Sequence, residues 1–478
     1  MQVLNNAKLR RFALNWLVGV AALVLALAGC SSAPVSTTGP AQQPKNIIIM
    51  FADGAALTQL EFGRYSSAHL RKQSFAATEV VFNQGVLGLL STHSANSMVT
   101  DSAASATAMA IGVKTNNFMI GVTPDGKPGK NAVEAARAAG KRVGLVTTTT
   151  VYDASPASFS VHAGNRGEAQ LIVDQYLSLE PDVLLGGGAD YFLPTGTLGG
   201  KRKDGKDVIA AFAAKGYQVV RNTGELNAAT RSRVLGLFAE GDMGYELDRD
   251  PVTTPSTAEM TAAALRTLSQ SSPNGFFLFV ENQNPDNAGH DNDIAALMHA
   301  MWAFDDAVKV ALEFQRRNSD TLVIVTADHE TGGLSITYAL KDLILLSRQN
   351  RFYAGQAHLE SIGRITMSLN SVSKRLGRKP SSEMLDQLLS QHFPGFRLDD
   401  DLRDAILKQR PVELNFSRLT PNALGRMVSR QSGFYWGTAG HTTEPVAVGA
   451  IGPGAALFRG YQDNTDFGKH LLRLIQGK

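Results

Sequence analysis

Four short runs of unbroken apolar residues, each leading to a carboxylate, constrain this chain more than any other feature of its sequence. The run at 46–51 ends in Asp53-Gly54, and the run at 276–280 ends in Glu281, with Asp286 and His290 close behind. The run at 322–326 ends in Asp328-His329, and the run at 142–147 leads to Asp153-Ala154-Ser155. Continuous apolar runs of this length fit strands covered on both faces, as in a parallel sheet between layers of helices. Such sheets bind ligands outside the carboxyl ends of their strands. The expected fold is therefore α/β: a three-layer sandwich with a large, mainly parallel central sheet, helices on both faces, and acids gathered along one edge. Apolar runs at 181–188 and 446–452 supply further strands, and amphipathic stretches near 132–139, 258–268, 294–314 and 467–475 supply helices.

A serine stands where such an edge could use it. Thr100-Asp101-Ser102 opens a run of almost wholly small residues that reads as a helix start, with Asp101 and Ser102 suited to its cap. There a hydroxyl lies beside free backbone N–H groups and the positive end of the helix dipole, which suits a nucleophile that attacks an anion. Taken alone, the segment equally describes an ordinary capped helix. The neighbouring candidates carry similar alternatives. Asp286 and His290, four apart, could simply decorate the start of a helix. Asp328 and His329 are adjacent, so on a strand they would point to opposite faces; they can share a ligand if the strand has ended, which Thr331-Gly332-Gly333 allows. Arg166 reads as a first-turn residue of the helical pattern that follows it, an unfavourable place for a cation unless an anion is bound.

Taken in order, Asp53-Gly54, Thr100-Asp101-Ser102-Ala103-Ala104, Asp153-Ala154-Ser155-Pro156, Asn165-Arg166, Glu281 with Asp286 and His290, Thr326-Ala327-Asp328-His329 and Gly440-His441-Thr442 closely resemble the motifs of the alkaline phosphatase family. The resemblance runs from about residue 46 to about residue 454. It implies hydrolysis of small phosphate monoesters through a phosphoserine on Ser102, with two Zn2+ and one Mg2+ per chain. Asp286, His290 and His441 would hold the first zinc. Asp53, Asp328 and His329 would hold the second, and Asp53, Ser155 and Glu281 the magnesium. Arg166 would clamp the phosphate, steadied by Asp101. The donor types agree: zinc takes imidazole nitrogen and carboxylate oxygen, magnesium prefers oxygen, and a planar guanidinium suits two phosphate oxygens at once. One departure concerns the shell behind the phosphate. Well-studied bacterial members carry a lysine directly after the first-zinc aspartate and many animal members a histidine, whereas this chain has Asn287. Asp153 is thereby expected to lack its cationic partner.

The stretch from about 339 to 430 has helical apolar spacing and is expected to form a helical insertion near the active site, similar in place to the family's variable crown. Its cluster Lys374, Arg375, Arg378 and Lys379 lacks interleaved aromatic residues, so it reads as a solvated helix end and not as a nucleic-acid surface.

The amino terminus addresses the chain. Lys8, Arg10 and Arg11 precede an apolar stretch, and Leu27-Ala28-Gly29-Cys30 follows the lipobox pattern of bacterial lipoproteins. Residues 1–29 are expected to be a signal peptide, with 30–45 a lipidated Cys30 and flexible tether, and 46–478 the catalytic domain. The expected location is the bacterial cell envelope, with the lipid in the outer membrane and the enzyme facing the periplasm. Cys30 is the single cysteine, so no intramolecular disulfide is available. Removing Lys8, Arg10 and Arg11 from the 46 cations leaves 43 against 43 acids, so net charge gives no argument for a polyanionic partner. Two other functions remain open at this level, a phosphodiesterase on the same fold and a non-catalytic metal- or phosphate-binding surface lipoprotein. Monomer and homodimer are both compatible with the sequence.

Overall fold

The structure, a computed structural model, describes residues 43–341 and 350–477. Cys30, the signal peptide and most of the tether lie outside the described residues. Ten strands form the central sheet: β1 (Asn46–Ala52), β2 (Val86–Ser91), β3 (Arg142–Thr150), β4 (Val183–Gly187), β5 (Gln218–Val220), β6 (Val234–Leu237), β7 (Phe276–Asn282), β8 (Thr321–Thr326), β9 (Val446–Ile451) and β10 (Gly460–Asp463). Their order is β10-β2-β9-β8-β1-β7-β3-β4-β6-β5. The run from β8 to β5 is parallel throughout, as the unbroken apolar runs imply, and β9 is the antiparallel strand between β2 and β8.

Period-two alternation divides the apolar residues of each central strand between two cores. Ile48, Met50, Leu278 and Val280 face the helices Thr257–Leu268 and Ile294–Arg317. Ile47, Ile49, Phe51, Phe277 and Phe279 face Ser102–Ile111, Ala132–Ala138 and Asn464–Gln476. All nine strand residues are fully buried, which explains why these runs contain no polar break. The architecture is the helix–sheet–helix sandwich expected from the sequence.

Between Ile336 and Phe434 the chain makes an excursion of mostly helical elements, Gln356–Ile362, Leu369–Leu376, Ser382–His392, Asp400–Leu407 and Leu419–Ser432. It is joined at its base by an antiparallel pairing of Leu334–Ile336 with Phe434–Trp436. Two of its elements hold the segment 290–293: the Leu369 N–H donates to Asp293 at 2.6 Å, and Asn422 Nδ2 donates to the His290 carbonyl at 2.9 Å.

Candidate active site

Register brings the acids of the sheet edge together. Phe51 on β1 lies level with Glu281 on β7 and with Thr326 on β8. Asp53 and Asp328, each two residues further along, therefore leave the sheet at the same height. β8 ends at Thr326, so the alternation that would separate Asp328 from His329 no longer applies; Asp328 Oδ2 lies 3.2 Å from His329 Nε2. Asp53 Oδ1 lies 3.6 Å from that same nitrogen.

Asp286 and His290 do not decorate the long helix that follows them. They occupy a short helix of their own, Asn284–Asp291, which ends where Asn292 takes φ 57°. The i,i+4 spacing puts both on one face, with Asp286 Oδ2 3.3 Å from His290 Nε2. His441 arrives from the far side of the helical excursion. A two-residue antiparallel ladder pairs His441 with Thr331 and Thr442 with Glu330, placing His441 Nε2 3.5 Å from Asp286 Oδ1 and 3.2 Å from His290 Nε2.

All three imidazoles are oriented alike by partners on their other nitrogen. Nδ1 of His290 lies 2.6 Å from the Ala439 carbonyl, Nδ1 of His441 lies 2.8 Å from the Thr100 carbonyl, and Nδ1 of His329 lies 3.2 Å from Thr331 Oγ1. Thr331 Oγ1 in turn donates to Asp286 Oδ1 at 2.5 Å, so it accepts from His329. With Nδ1 held by a partner in each ring, every Nε2 faces inward, the placement that metal-ligating histidines adopt. Two groups, Asp286/His329/His441 and Asp53/Asp328/His329, each bring three donor atoms within 4.8 Å of one another, and His329 belongs to both.

The electrostatics call for cations. Asp53, Glu281 and Asp328 are fully buried, and Asp53 Oδ1, Glu281 Oε1 and Asp328 Oδ2 have no hydrogen-bond partner. Burial pushes Glu281 up to about 8; burial, with Asp286 beside it, lifts Asp328 to about 7; burial and Asp328 hold Asp53 well above the carboxylate range. Burial also holds His329 well below its ordinary value and therefore neutral. Orphaned carboxylate oxygens and inward-facing imidazole nitrogens at one place are what bound divalent ions would satisfy. Ser155 Oγ, 3.3 Å from Asp53 Oδ2, and the free oxygen of Glu281 offer an oxygen-only set suited to magnesium.

Ser102 is the first residue of the helix Ser102–Ile111. Its N-cap, Asp101, accepts from the Ala104 N–H at 2.9 Å, and the serine hydroxyl lies 3.1 Å from His329 Nε2. Arg166 forks between two acids, with Nη1 3.3 Å from Asp101 Oδ2 and Nη2 3.1 Å from Asp153 Oδ1.

Two sequence expectations are corrected here. Arg166 is not in the first turn of a helix: that helix begins at Ala169, and Asn165 Oδ1 accepts from the Gly167 N–H at 2.8 Å to make a turn ahead of it. Nor is Asp153 without a cationic partner, because Arg166 has taken that place. Asn287 lies on the other side of the Asn284–Asp291 helix, in a polar cavity of about 520 Å³ lined also by Tyr245, Asn284, Lys374 and Arg418.

The residues that brace the ligands carry no motif of their own. Thr147 Oγ1 donates to Glu281 Oε2 at 2.5 Å, and Gln283 Nε2 to Asp286 Oδ2 at 3.1 Å. The Glu330 carboxylate accepts from Gln59, the Gly333 and Leu334 N–H groups and Thr442, fixing the ladder that delivers His441. Adjacency to His329 was the one available signal for Glu330.

Residues 44–476 match the family described as alkaline phosphatase. The chain is 32% identical over 454 residues to alkaline phosphatase 3 of Bacillus subtilis, covering 93% of this chain and 92% of that one. It is 31% identical to the repressible alkaline phosphatase of Saccharomyces cerevisiae, over 90% of this chain and 81% of the yeast protein. The crystal structure of Thermus thermophilus alkaline phosphatase superposes with a TM-score of 0.81 at 31% identity, covering 94% of this chain and 96% of that one.

Proposed function

This chain belongs to the alkaline phosphatase family and hydrolyses phosphate monoesters; we propose that it does so through a phosphoserine on Ser102, in a site holding two zinc ions and one magnesium ion. The observation that carries this reading is the 3.1 Å approach of Ser102 Oγ to His329 Nε2, a donor of the Asp53/Asp328/His329 group. Asp286, His290 and His441 would hold one zinc, Asp53, Asp328 and His329 the other, and Asp53, Ser155 and Glu281 the magnesium. Bound there, the ions would lower the pKa of the serine hydroxyl and stabilise the leaving oxygen.

The chain's own residues do the rest. Ser102 Oγ gives up its proton and bonds to phosphorus as the ester P–O bond breaks, and the leaving group departs with the ester oxygen, which takes up a proton. Backbone N–H groups at the start of the Ser102–Ile111 helix face the phosphoryl oxygens and favour their charge. The guanidinium of Arg166, held by Asp101 and Asp153, presents two N–H donors to the same group. Water then attacks phosphorus, cleaves the phosphoserine and releases inorganic phosphate, regenerating the Ser102 hydroxyl. Rates on an aryl monoester and the matching diester, measured on one sample of known metal content, test the reading; a faster diester rate would overturn it.

Arg166→Ala weakens inhibition by inorganic phosphate roughly tenfold, since it removes a two-point charged contact while the remaining cations stay in place. Inhibition constants at one pH and ionic strength check this, and a parent-like constant would remove Arg166 from the clamp.

We also propose that Cys30 is the lipidated first residue of the exported chain and tethers the enzyme to the cell envelope, on the strength of the lipobox at 27–30. Expressed in a bacterium, the wild-type chain fractionates with membranes, and Cys30→Ser leaves an uncleaved or soluble form with undiminished kcat. Mass spectrometry finding an unmodified Cys30 in a freely soluble wild-type protein refutes the assignment.

A further inference from the structure

The phosphate clamp is mounted on a turn that its sequence does not favour. Residues 116–119 form a β-turn closed by the Met119 N–H to the Asn116 carbonyl at 3.2 Å, and Phe118 at its third position has φ 72°. A positive φ there is the type II arrangement, which calls for glycine or asparagine. A bulky side chain meets its own backbone in that region, and such strain persists where the surroundings enforce it, often at functional sites. Among the described residues Phe118 is the one aromatic residue in this conformation, and it is 57% exposed, so core packing does not account for it.

What enforces the turn is its attachment to the clamp. The Phe118 N–H donates to Asp101 Oδ2 at 3.1 Å, the same oxygen that receives Arg166 Nη1. The Phe118 carbonyl accepts the Arg166 backbone N–H at 2.7 Å. Next to it, Asn117 Oδ1 accepts the Asp101 N–H at 3.2 Å, and Asn117 Nδ2 donates to the Val99 carbonyl at 3.1 Å. Paired N–H and C=O contacts between Ile120 and Ala163 join the turn to the loop that carries Arg166. One left-handed residue thus holds both ends of the Asp101–Arg166 pair, the carboxylate through its N–H and the arginine main chain through its C=O.

We propose that Phe118 is a positioning residue of the phosphate clamp, acting through its left-handed backbone to fix Arg166 against Asp101. This rests on the reading of Arg166 as the phosphate clamp. Flipping the 117–118 peptide would withdraw the Phe118 N–H from Asp101 and loosen the turn whose Phe118 carbonyl meets Arg166, leaving the guanidinium less firmly held while Ser102 and the metal ligands stay put. Such a change falls on phosphate affinity more than on the saturated rate.

The test compares substitutions by their tolerance of positive φ in the full-length, metal-loaded enzyme, reading the inhibition constant of inorganic phosphate and kcat on an aryl monoester. Phe118→Gly accepts the conformation and keeps both hydrogen bonds, so its phosphate constant stays within about twofold of the parent. Phe118→Val, with a branched Cβ that this backbone region excludes, raises the constant about tenfold while kcat falls less. In an Arg166→Ala background the valine adds less than about twofold, because the group it would displace is gone. If the valine variant does not fold, Phe118→Ala carries the same comparison. A folded valine or alanine variant with the parent constant overturns the proposal. So does a glycine variant as impaired as the valine, which would place the effect in the ring, or a valine effect that persists without Arg166. An unchanged constant in Arg166→Ala alone strikes instead at the clamp reading beneath it.

Discussion

Ser102→Ala lowers the saturated rate of monoester hydrolysis by on the order of 10²-fold or more and abolishes the covalent phosphoenzyme. The expectation follows from how little else the hydroxyl does. Ser102 is buried at the start of its helix, but the cap of that helix is Asp101, whose carboxylate accepts from the Ala104 N–H, so the serine can be shortened without unravelling the turn. None of the carboxylates or imidazoles that would hold metals depends on it for orientation; each His Nδ1 is held by Ala439, Thr100 or Thr331. Fold and metal content are therefore expected to survive the change. Acid-quenched protein examined by mass spectrometry should carry phosphate on Ser102 in the wild type and none in the variant. A variant with wild-type rates under saturation would exclude Ser102 as the nucleophile.

Stripping the metals with a chelator abolishes hydrolysis and lowers the melting temperature, and the loss of stability grows with pH. Without counter-ions the buried carboxylates avoid mutual repulsion by holding protons: Glu281 is pushed to about 8 and Asp328 to about 7, chiefly by burial. A carboxylate whose folded pKa lies above its unfolded value binds its proton more tightly in the folded state. The stability it contributes is complete below the unfolded value and is lost as pH rises through the folded one. The stripped protein therefore weakens from about pH 4 to about pH 8, whereas bound divalent ions satisfy the same oxygens as carboxylates and hold stability up across that range. The gap in melting temperature between loaded and stripped protein is expected to widen by on the order of 5 °C from pH 6 to pH 9. Calorimetry at the two pH values checks this; equal gaps would mean that the acid cluster does not bear the metals' charge.

The parts of this site that could be read from sequence are those whose chemistry and local pattern agree. An apolar run closing on an acid announces both a buried strand and the residue at its end, which is why Asp53, Glu281 and Asp328 were legible. The small-residue run after Asp101 announced a capped helix and put Ser102 at its start. Arg166 was misplaced by three residues because a polar turn and a polar first helical turn have the same composition; what separates them is the Asn165–Gly167 hydrogen bond, a matter of geometry. The pairing of Asp153 with Arg166 was missed because it depends on how two loops meet. Thr147, Glu330 and Thr331 escaped notice since a threonine or glutamate that braces a ligand carries no motif. Phe118 was the least accessible of all, because the residue type argues against the conformation it adopts.

The paired strands at the foot of the helical excursion have an architectural consequence. His329 and His441 lie on opposite sides of that excursion, yet each is fixed below it: His441 pairs directly with Thr331, and Leu334–Ile336 with Phe434–Trp436 closes the gap above. The polypeptide leaves and re-enters through one sewn seam. The excursion still touches the centre at a few points: Asn422 holds the His290 carbonyl, and Asn415 holds Gly437 and Ala439, whose carbonyl meets His290. The seam fixes where the chain leaves and re-enters the sheet, so the region is anchored at its foot by the same strands that deliver the two histidines.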